Sequence, residues 1–281
     1  MTVSEDQNVG ALHDAAGGLS QGIAKVLRTA AEQSVMPRFR RLAAGEIEEK
    51  APGELVTVAD REAERIIQSG LKTLCPSARF VGEEAASANP ALLDDLGKGE
   101  VWIVDPIDGT ANYAAGRSPF ALMAALLVDG AIVASAILDP VRDQLTIAER
   151  GAGAWLDGQR IKADEDPRDL ADTTGIVSAF QRPALMESRI RSLSARCAQI
   201  AGTQRCAGHE YPLVAAGAYD FALYWRSLPW DHAPGALVIQ AAGGKIARLD
   251  GSPYRPADPS GPVLLARSPE IWDQLAALLA Q

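Results

Sequence analysis

The sequence predicts a mixed α+β and α/β fold with residues 1–155 as a first lobe and 156–281 as a second. Three observations carry this. In the first half, apolar β-prone runs follow one another through Asp-Gly turns, the pattern of a mostly antiparallel sheet. In the second, short apolar strands alternate with helical stretches, the rhythm of a second sheet covered by helices. Ahead of both runs a long stretch with helical spacing.

That stretch, about Val9 to Leu42, places Leu12, Leu19, Ile23, Val26 and Leu27 toward one face, and Pro37 is positioned to bend or end it. Pro52-Gly53 marks a turn between Lys50 and Leu55. Thr57-Val58-Ala59-Asp60 leads into a helix over Arg61 to Leu74, with Ala63, Ile66, Ile67 and Leu71 inward and Pro76 closing it. A strand at Phe80, an acidic linker through Asp95 and a strand at Trp102 follow. Ala121–Val128 and Ala131–Leu138 pair across Asp129-Gly130, which rules out reading Phe120 to Leu138 as a membrane span. Gln144–Ala148 and Ala154–Leu156 continue the sheet to the Asp157-Gly158 turn, and Lys162 to Asp172 reads as an exposed connector. Strands are then expected at Gly175–Ser178, Ala198–Gly202 and Asp220–Trp225. Helices are expected at Pro183–Ser194, Gly208–Ala216 and His232–Ala242.

Composition narrows the function. A hydrophobic content of 47% with 22% charge is that of a soluble globular chain. The net charge of −9 argues against nucleic acid as the main partner. It leaves a phosphorylated substrate open, because bound cations reverse a local field. Cys75, Cys197 and Cys206 are too few for a disulfide framework and lack metal-site spacing, so they read as reduced thiols of a cytoplasmic protein. The polar, acidic stretch Met1 to Gln7 is unlike a signal peptide.

The run Val101-Trp102-Ile103-Val104-Asp105-Pro106-Ile107-Asp108-Gly109-Thr110 is the most informative segment. An apolar strand ends in two carboxylates, which repel each other near a core unless a cation lies between them. Oxygen ligands suit a hard cation such as Mg2+. The backbone N–H groups of Gly109 and Thr110 suit a phosphate oxygen. Taken alone, the run is equally compatible with an ordinary Asp-Gly turn after a strand. Two further segments accompany it: Phe80-Val81-Gly82-Glu83-Glu84, an apolar run ending in paired acids, and Trp230-Asp231-His232-Ala233-Pro234-Gly235, opening an apolar stretch to Gly243-Gly244. Asp231 and Asp60 are each also suited to be helix N-caps, and Pro234 suits a first helical turn.

Paired acids after a strand, D-P-I-D-G-T, and W-D before a Gly-ending apolar helix, in that order, resemble the inositol monophosphatase family from about Lys50 to about Gly244. The resemblance implies a lithium-sensitive, magnesium-dependent phosphatase, commonly a homodimer. It also implies a layered α-β-α-β-α sandwich of the sugar-phosphatase type, with the site between the lobes. By the same resemblance Glu83, Asp105 and the Ile107 carbonyl bind a first Mg2+, while Asp105, Asp108 and Asp231 bind a second. Glu83 also serves a weaker third. Thr57, Asp60, Glu84 and Thr110 form a surrounding layer in which Thr110 and Asp60 orient and deprotonate the attacking water. Lys50 matches a basic residue near a mobile metal loop, or is simply solvated. His13, His209 and His232 are scattered and read as structural or surface residues.

The substrate wall departs from the pattern. Inositol phosphatases commonly carry Glu seven residues before the W-D aspartate, where this chain has Tyr224, followed by Trp225-Arg226. A Gly-Ser-Ala-Ala-like segment is replaced by Arg205-Cys206-Ala207-Gly208-His209. Tyr224 can hydrogen-bond but is no carboxylate anchor. Arg205 and Arg226 either meet a second anion or point to solvent. The expected substrate is therefore a small phosphorylated polyol or sugar, held by Asp108, Arg205, Ala207, Tyr224 and Asp231. Fructose 1,6-bisphosphate, histidinol phosphate and 3′-phosphoadenosine 5′-phosphate are alternatives on the same scaffold. Some family members also act by binding other proteins, including transcription machinery, which gives a reading of another class.

Overall fold

The computed structural model describes residues 18–163, 168–259 and 261–280. The part of the expected first helix before Gly18, His13 and the Met1 to Gln7 segment lie outside the described residues, as does part of the 162–172 connector.

Helix α1 spans Leu19–Ala30, loosens into a π-type turn over Ala31–Val35, and ends in a last turn at Met36–Arg38 beside Pro37. A hairpin of β1 (Ile47–Ala51) and β2 (Glu54–Thr57) turns at Pro52-Gly53. Helix α2 (Val58–Leu74) begins earlier than Arg61. Thr57 is its N-cap, accepting from the Ala59 N–H, while Asp60 sits at the third helical position and reaches back to the Thr57 N–H. Asp60 is thus half of a capping box rather than the cap itself.

Strand β3 (Arg79–Gly82) runs into the short helix α3 (Glu83–Ala88). Strand β4 (Glu100–Asp108) ends at the short helix α4 (Thr110–Ala114). Strands β5 (Ala121–Val128), β6 (Ala131–Asp139), β7 (Gln144–Glu149), β8 (Gly153–Leu156) and β9 (Gln159–Ile161) complete a seven-stranded sheet in the order β3 to β9. Only β3 and β4 are parallel neighbours in it. Its strands are apolar on both faces because both are covered. Val101, Ile103, Met123 and Ala125 face one cluster, and Trp102, Val104, Leu122 and Ala124 face the other.

The second sheet contains β10 (Thr174–Val177), β11 (Gln199–Gly202) and β12 (Phe221–Tyr224), parallel to one another as the alternating pattern implies. Helix α5 (Glu187–Ser194) links β10 to β11, and α6 (Ala207–Ala215) links β11 to β12. After α7 (Pro229–Ala242), two antiparallel strands, β13 (Lys245–Ala247) and β14 (Val263–Ala266), and the terminal helix α8 (Pro269–Ala280) extend this half. The sheet order is β11-β10-β12-β14-β13.

Five layers result. Helices α1 and α2 cover the outer face of the large sheet, α6 and α7 fill the space between the sheets, and α5 and α8 cover the far face of the small sheet. Helix α7 is apolar on nearly all sides because it touches both sheets. It starts at Pro229 with Leu228 as N-cap, so Asp231 is its third residue rather than its cap, and Pro234 lies beyond the first turn. A Cβ added at Gly235 would lie 2.2 Å from the Tyr211 ring, so glycine sets how closely α6 approaches α7. Gly235→Ala should therefore lower stability by about 1–3 kcal/mol through overpacking. A urea unfolding midpoint equal to that of the parent protein would contradict this.

Candidate active site

Asp105 and Asp108 are three positions apart and in a regular strand would point to opposite faces. They do not, because β4 carries a bulge. Asp105 pairs with Met123 and Asp108 with Ala121, so three steps on β4 match two on β5. Pro106, which has no N–H to offer a ladder, lies within this irregularity. The bulge brings both carboxylates to one side, where Asp231 arrives from the first turn of α7. One oxygen from each of Asp105, Asp108 and Asp231 lies within 4.8 Å of the others. Asp105 is 1% exposed.

Such a cluster stores repulsion. Burial, then the charges of Glu83, Asp108 and Asp231, hold the Asp105 carboxyl well above the usual range. Burial, then Asp108 and Glu83, do the same to Asp231. Burial pushes Asp108 up to about 7, although its Oδ2 accepts from the Gly208 N–H at 2.6 Å. Asp60, also fully buried, is pushed up to about 7 by burial, against a 2.6 Å hydrogen bond from the Thr57 hydroxyl. A hard divalent cation fits this oxygen-only donor set and would offset its repulsion.

The remaining expected residues surround the cluster. The Thr110 hydroxyl lies 3.1 Å from Asp60 Oδ1 and 2.8 Å from the Ile107 carbonyl oxygen. Gly109 adopts φ 87°, and a Cβ there would meet the Pro119 and Arg205 carbonyl oxygens at 3.1 and 3.3 Å, so only glycine fits this turn. Glu83 is outside the tight set of three. Its Oε1 accepts from Lys50 Nζ at 2.9 Å, and Glu84 Oε1 accepts from the same ammonium at 2.8 Å. Lys50 is therefore not merely solvated. Burial lowers its pKa, but these two carboxylates outweigh that and hold the ammonium above its ordinary range.

In the substrate wall both arginines border the cavity and reach the hairpin of β1 and β2. Arg205 Nη2 donates to the Gly53 carbonyl at 3.3 Å, and Arg226 pairs with Glu54 while its guanidinium lies over the Phe180 ring. Arg205 stays exposed, whereas Arg226 is half-buried. Tyr224 is buried, and its hydroxyl donates to Glu210 Oε2 at 2.5 Å, so a carboxylate does stand behind this position. These groups, with Ala207 and the three aspartates, line a cavity of about 200 Å3.

His232 is a satisfied core residue. Its Nε2 lies 2.9 Å from the Arg226 carbonyl and must donate there, so Nδ1 accepts from the Tyr211 hydroxyl at 2.7 Å. Burial pulls its pKa down to about 3. The sequence reading passed over Glu64 and Glu210. Glu64 accepts from the Glu84 and Ala85 N–H groups at 2.9 and 3.1 Å and so fixes the start of α3. Its signal was its place four residues after Asp60, on the buried face of α2. Glu210 was signalled by a lone acid within an otherwise apolar helix.

The layered fold and this buried acidic cluster define a phosphatase of the sugar-phosphatase type. A model of the inositol monophosphatase family matches residues 19–281, and the chain belongs to that family. It is 34% identical over 209 residues to an inositol-1-monophosphatase of Rhizobium meliloti, covering 72% of this chain and 75% of that protein. It is 30% identical over 228 residues to the Nus factor SuhB of Pseudomonas aeruginosa, covering 79% and 82%. A solved inositol monophosphatase of Thermotoga maritima superposes with a TM-score of 0.77 at 27% identity, over 93% of this chain and 96% of that one. Among the described residues no helix is long and apolar enough to cross a membrane.

The raised carboxyl pKa values make a signed prediction for the metal-free protein. Asp60, Glu64, Asp105, Asp108, Glu210 and Asp231 all titrate higher folded than the usual carboxylate range. In that window the folded state holds more protons, so stability falls as pH rises through 7. His209 and His232, lowered by burial, act in the opposite direction but are only two. Chelator-treated protein should therefore melt at a higher temperature at pH 6 than at pH 8, and Mg2+ should raise the Tm more at pH 8. A Mg2+ effect that is larger at pH 6 would contradict the cluster's assignment.

Proposed function

We propose that the protein hydrolyses a small phosphorylated polyol or sugar with Mg2+ held by Asp105, Asp108 and Asp231, and with Glu83 and the Ile107 carbonyl completing sites for two or three ions. The convergence of one oxygen from each of Asp105, Asp108 and Asp231 within 4.8 Å, the first two buried, carries the reading. When bound, Mg2+ supplies Lewis-acid stabilisation of phosphate and leaving-group oxygens and makes a water more acidic. The chain's own part is positional. Asp60 Oδ1 faces the Thr110 hydroxyl, whose single proton can be given to that carboxylate while the threonine oxygen accepts from a water. Glu84 sits beside this group and shares the Lys50 ammonium with Glu83. The Gly109 and Thr110 backbone lies at the first turn of α4, where N–H dipoles suit a phosphate oxygen. Asp108, Arg205, Ala207, Tyr224 and Asp231 border the alcohol portion. A boundary between lobes near residue 155 and a homodimer belong to the same reading.

Asp105→Asn removes a buried charge from the cluster and should lower Mg2+-dependent phosphate release at least about 100-fold, the scale of losing one well-placed electrostatic contact. Near-parental turnover in that variant would sink the metal assignment. Li+ should inhibit turnover at fixed Mg2+ by competing for a weakly held hard-cation site. Full activity at about tens of millimolar Li+ would contradict that.

The Pseudomonas relative's name, Nus factor SuhB, motivates a second reading in which the chain binds a protein partner. Phosphate release that requires Mg2+ favours the first reading, and its complete absence favours the second.

A further inference from the structure

Glu210 is fully buried on α6, and among the described residues no cationic side chain lies within ion-pair distance of it. Its two oxygens take one donor each. Oε1 accepts from the Gln204 N–H, and Oε2 accepts from the Tyr224 hydroxyl. The Tyr224 ring is held in turn. Tyr211 stacks parallel to it with centroids 6.0 Å apart, and the His232 ring meets it edge-on at 5.0 Å. Tyr211 has its own hydroxyl engaged by His232, so it does not compete for Glu210. Tyr224 keeps 8% of its surface and lines the same cavity as Asp105, Asp108 and Asp231.

A phenol has one proton to give and lone pairs to accept with. With that proton committed to a buried carboxylate, Tyr224 Oη has only lone pairs left for the cavity. We propose that Glu210 is a positioning residue that fixes Tyr224 as a hydrogen-bond acceptor, so that the site selects phosphate monoesters whose alcohol portion presents an O–H or N–H donor to it. The proposal rests on the phosphatase reading and deepens it by naming the substrate chemistry. An anionic substituent at the same place meets lone pairs in front and the Glu210 charge behind, and is disfavoured on both counts.

The experiment compares kcat/KM for inositol 1-phosphate, which carries hydroxyl donors, with that for phenyl phosphate, whose alcohol portion has none. Both are measured with Mg2+ at pH 8, and the readout is their ratio. Tyr224→Phe should lower the ratio about three- to tenfold, the usual effect of losing a hydrogen bond between neutral groups. Glu210→Gln should lower it too, chiefly through a raised KM for inositol 1-phosphate, because the glutamine amide can donate to Tyr224 and free its proton. A ratio within twofold of the parent protein in either folded variant would overturn the proposal. If Glu210→Gln does not fold, the Tyr224→Phe ratio alone decides. Parent turnover of phenyl phosphate tests the phosphatase reading by itself. Turnover of neither ester overturns both, whereas phenyl phosphate turnover with an unchanged ratio overturns only this proposal.

Discussion

The arrangement depends on holding like charges together in a poorly solvated space. Asp60, Asp105, Asp108 and Asp231 each meet burial and neighbouring negative charge, and a fold that brought them close without compensation would neutralise them by protonation. The compensation visible in the protein is local. Gly208 donates to Asp108, Ile107 donates to Asp105 at 3.0 Å, and Thr57 donates to Asp60 from both backbone and side chain. These bonds fix the direction of each carboxylate but do not cancel its charge. The scaffold is therefore positioned against its own electrostatic preference, which is the condition under which a divalent cation gains most from binding.

The five layers provide the rigidity this requires. Asp105 and Asp108 hang from β4, a strand paired on both sides and packed on both faces, and Asp231 comes from a helix wedged between the sheets. None of the three can relax away from the others without disturbing a core. The contacts around the cavity mouth are of another kind. The hairpin of β1 and β2 is tied to the site through Lys50 with Glu83 and Glu84, through Arg226 with Glu54, and through Arg205 with the Gly53 carbonyl. Partly exposed ion pairs of this type contribute about 0–1 kcal/mol each. The site thus combines a stiff floor with a lightly held rim.

Much of the frame was legible in the sequence because it depends on local chemistry. Asp-Gly turns located the β5–β6 and β8–β9 hairpins, and uninterrupted apolar runs marked strands buried on both faces. The D-P-I-D-G-T and W-D segments, taken together and in order, marked the aspartates that converge. What was not legible is what depends on contacts distant in sequence. The start of α7 at Pro229 follows from packing between two sheets, and this displaced Asp231 from the cap position that its residue type favours. The late strands β13 and β14 acquire their pattern only by pairing beyond β12. Arg205 and Arg226 offered charge but no direction until the hairpin was seen to face them.

The Tyr224 position shows the same limit most sharply. Counting residues back from Asp231 finds a phenol and suggests that a charge has been lost. In space the charge has moved one layer back, to Glu210 of the preceding helix, with the tyrosine hydroxyl between it and the cavity. A direct carboxylate and a carboxylate behind a phenol are not equivalent. The first can pair with a cation or accept two donors, while the second presents a phenol oxygen whose hydrogen-bonding sense is set by the carboxylate it donates to. Such a relay costs a buried acid, and burial pushes Glu210 up to about 7. The fold meets that cost with the Gln204 N–H on one oxygen and the Tyr224 hydroxyl on the other, so the same two bonds that stabilise the buried charge also fix the polarity of the wall.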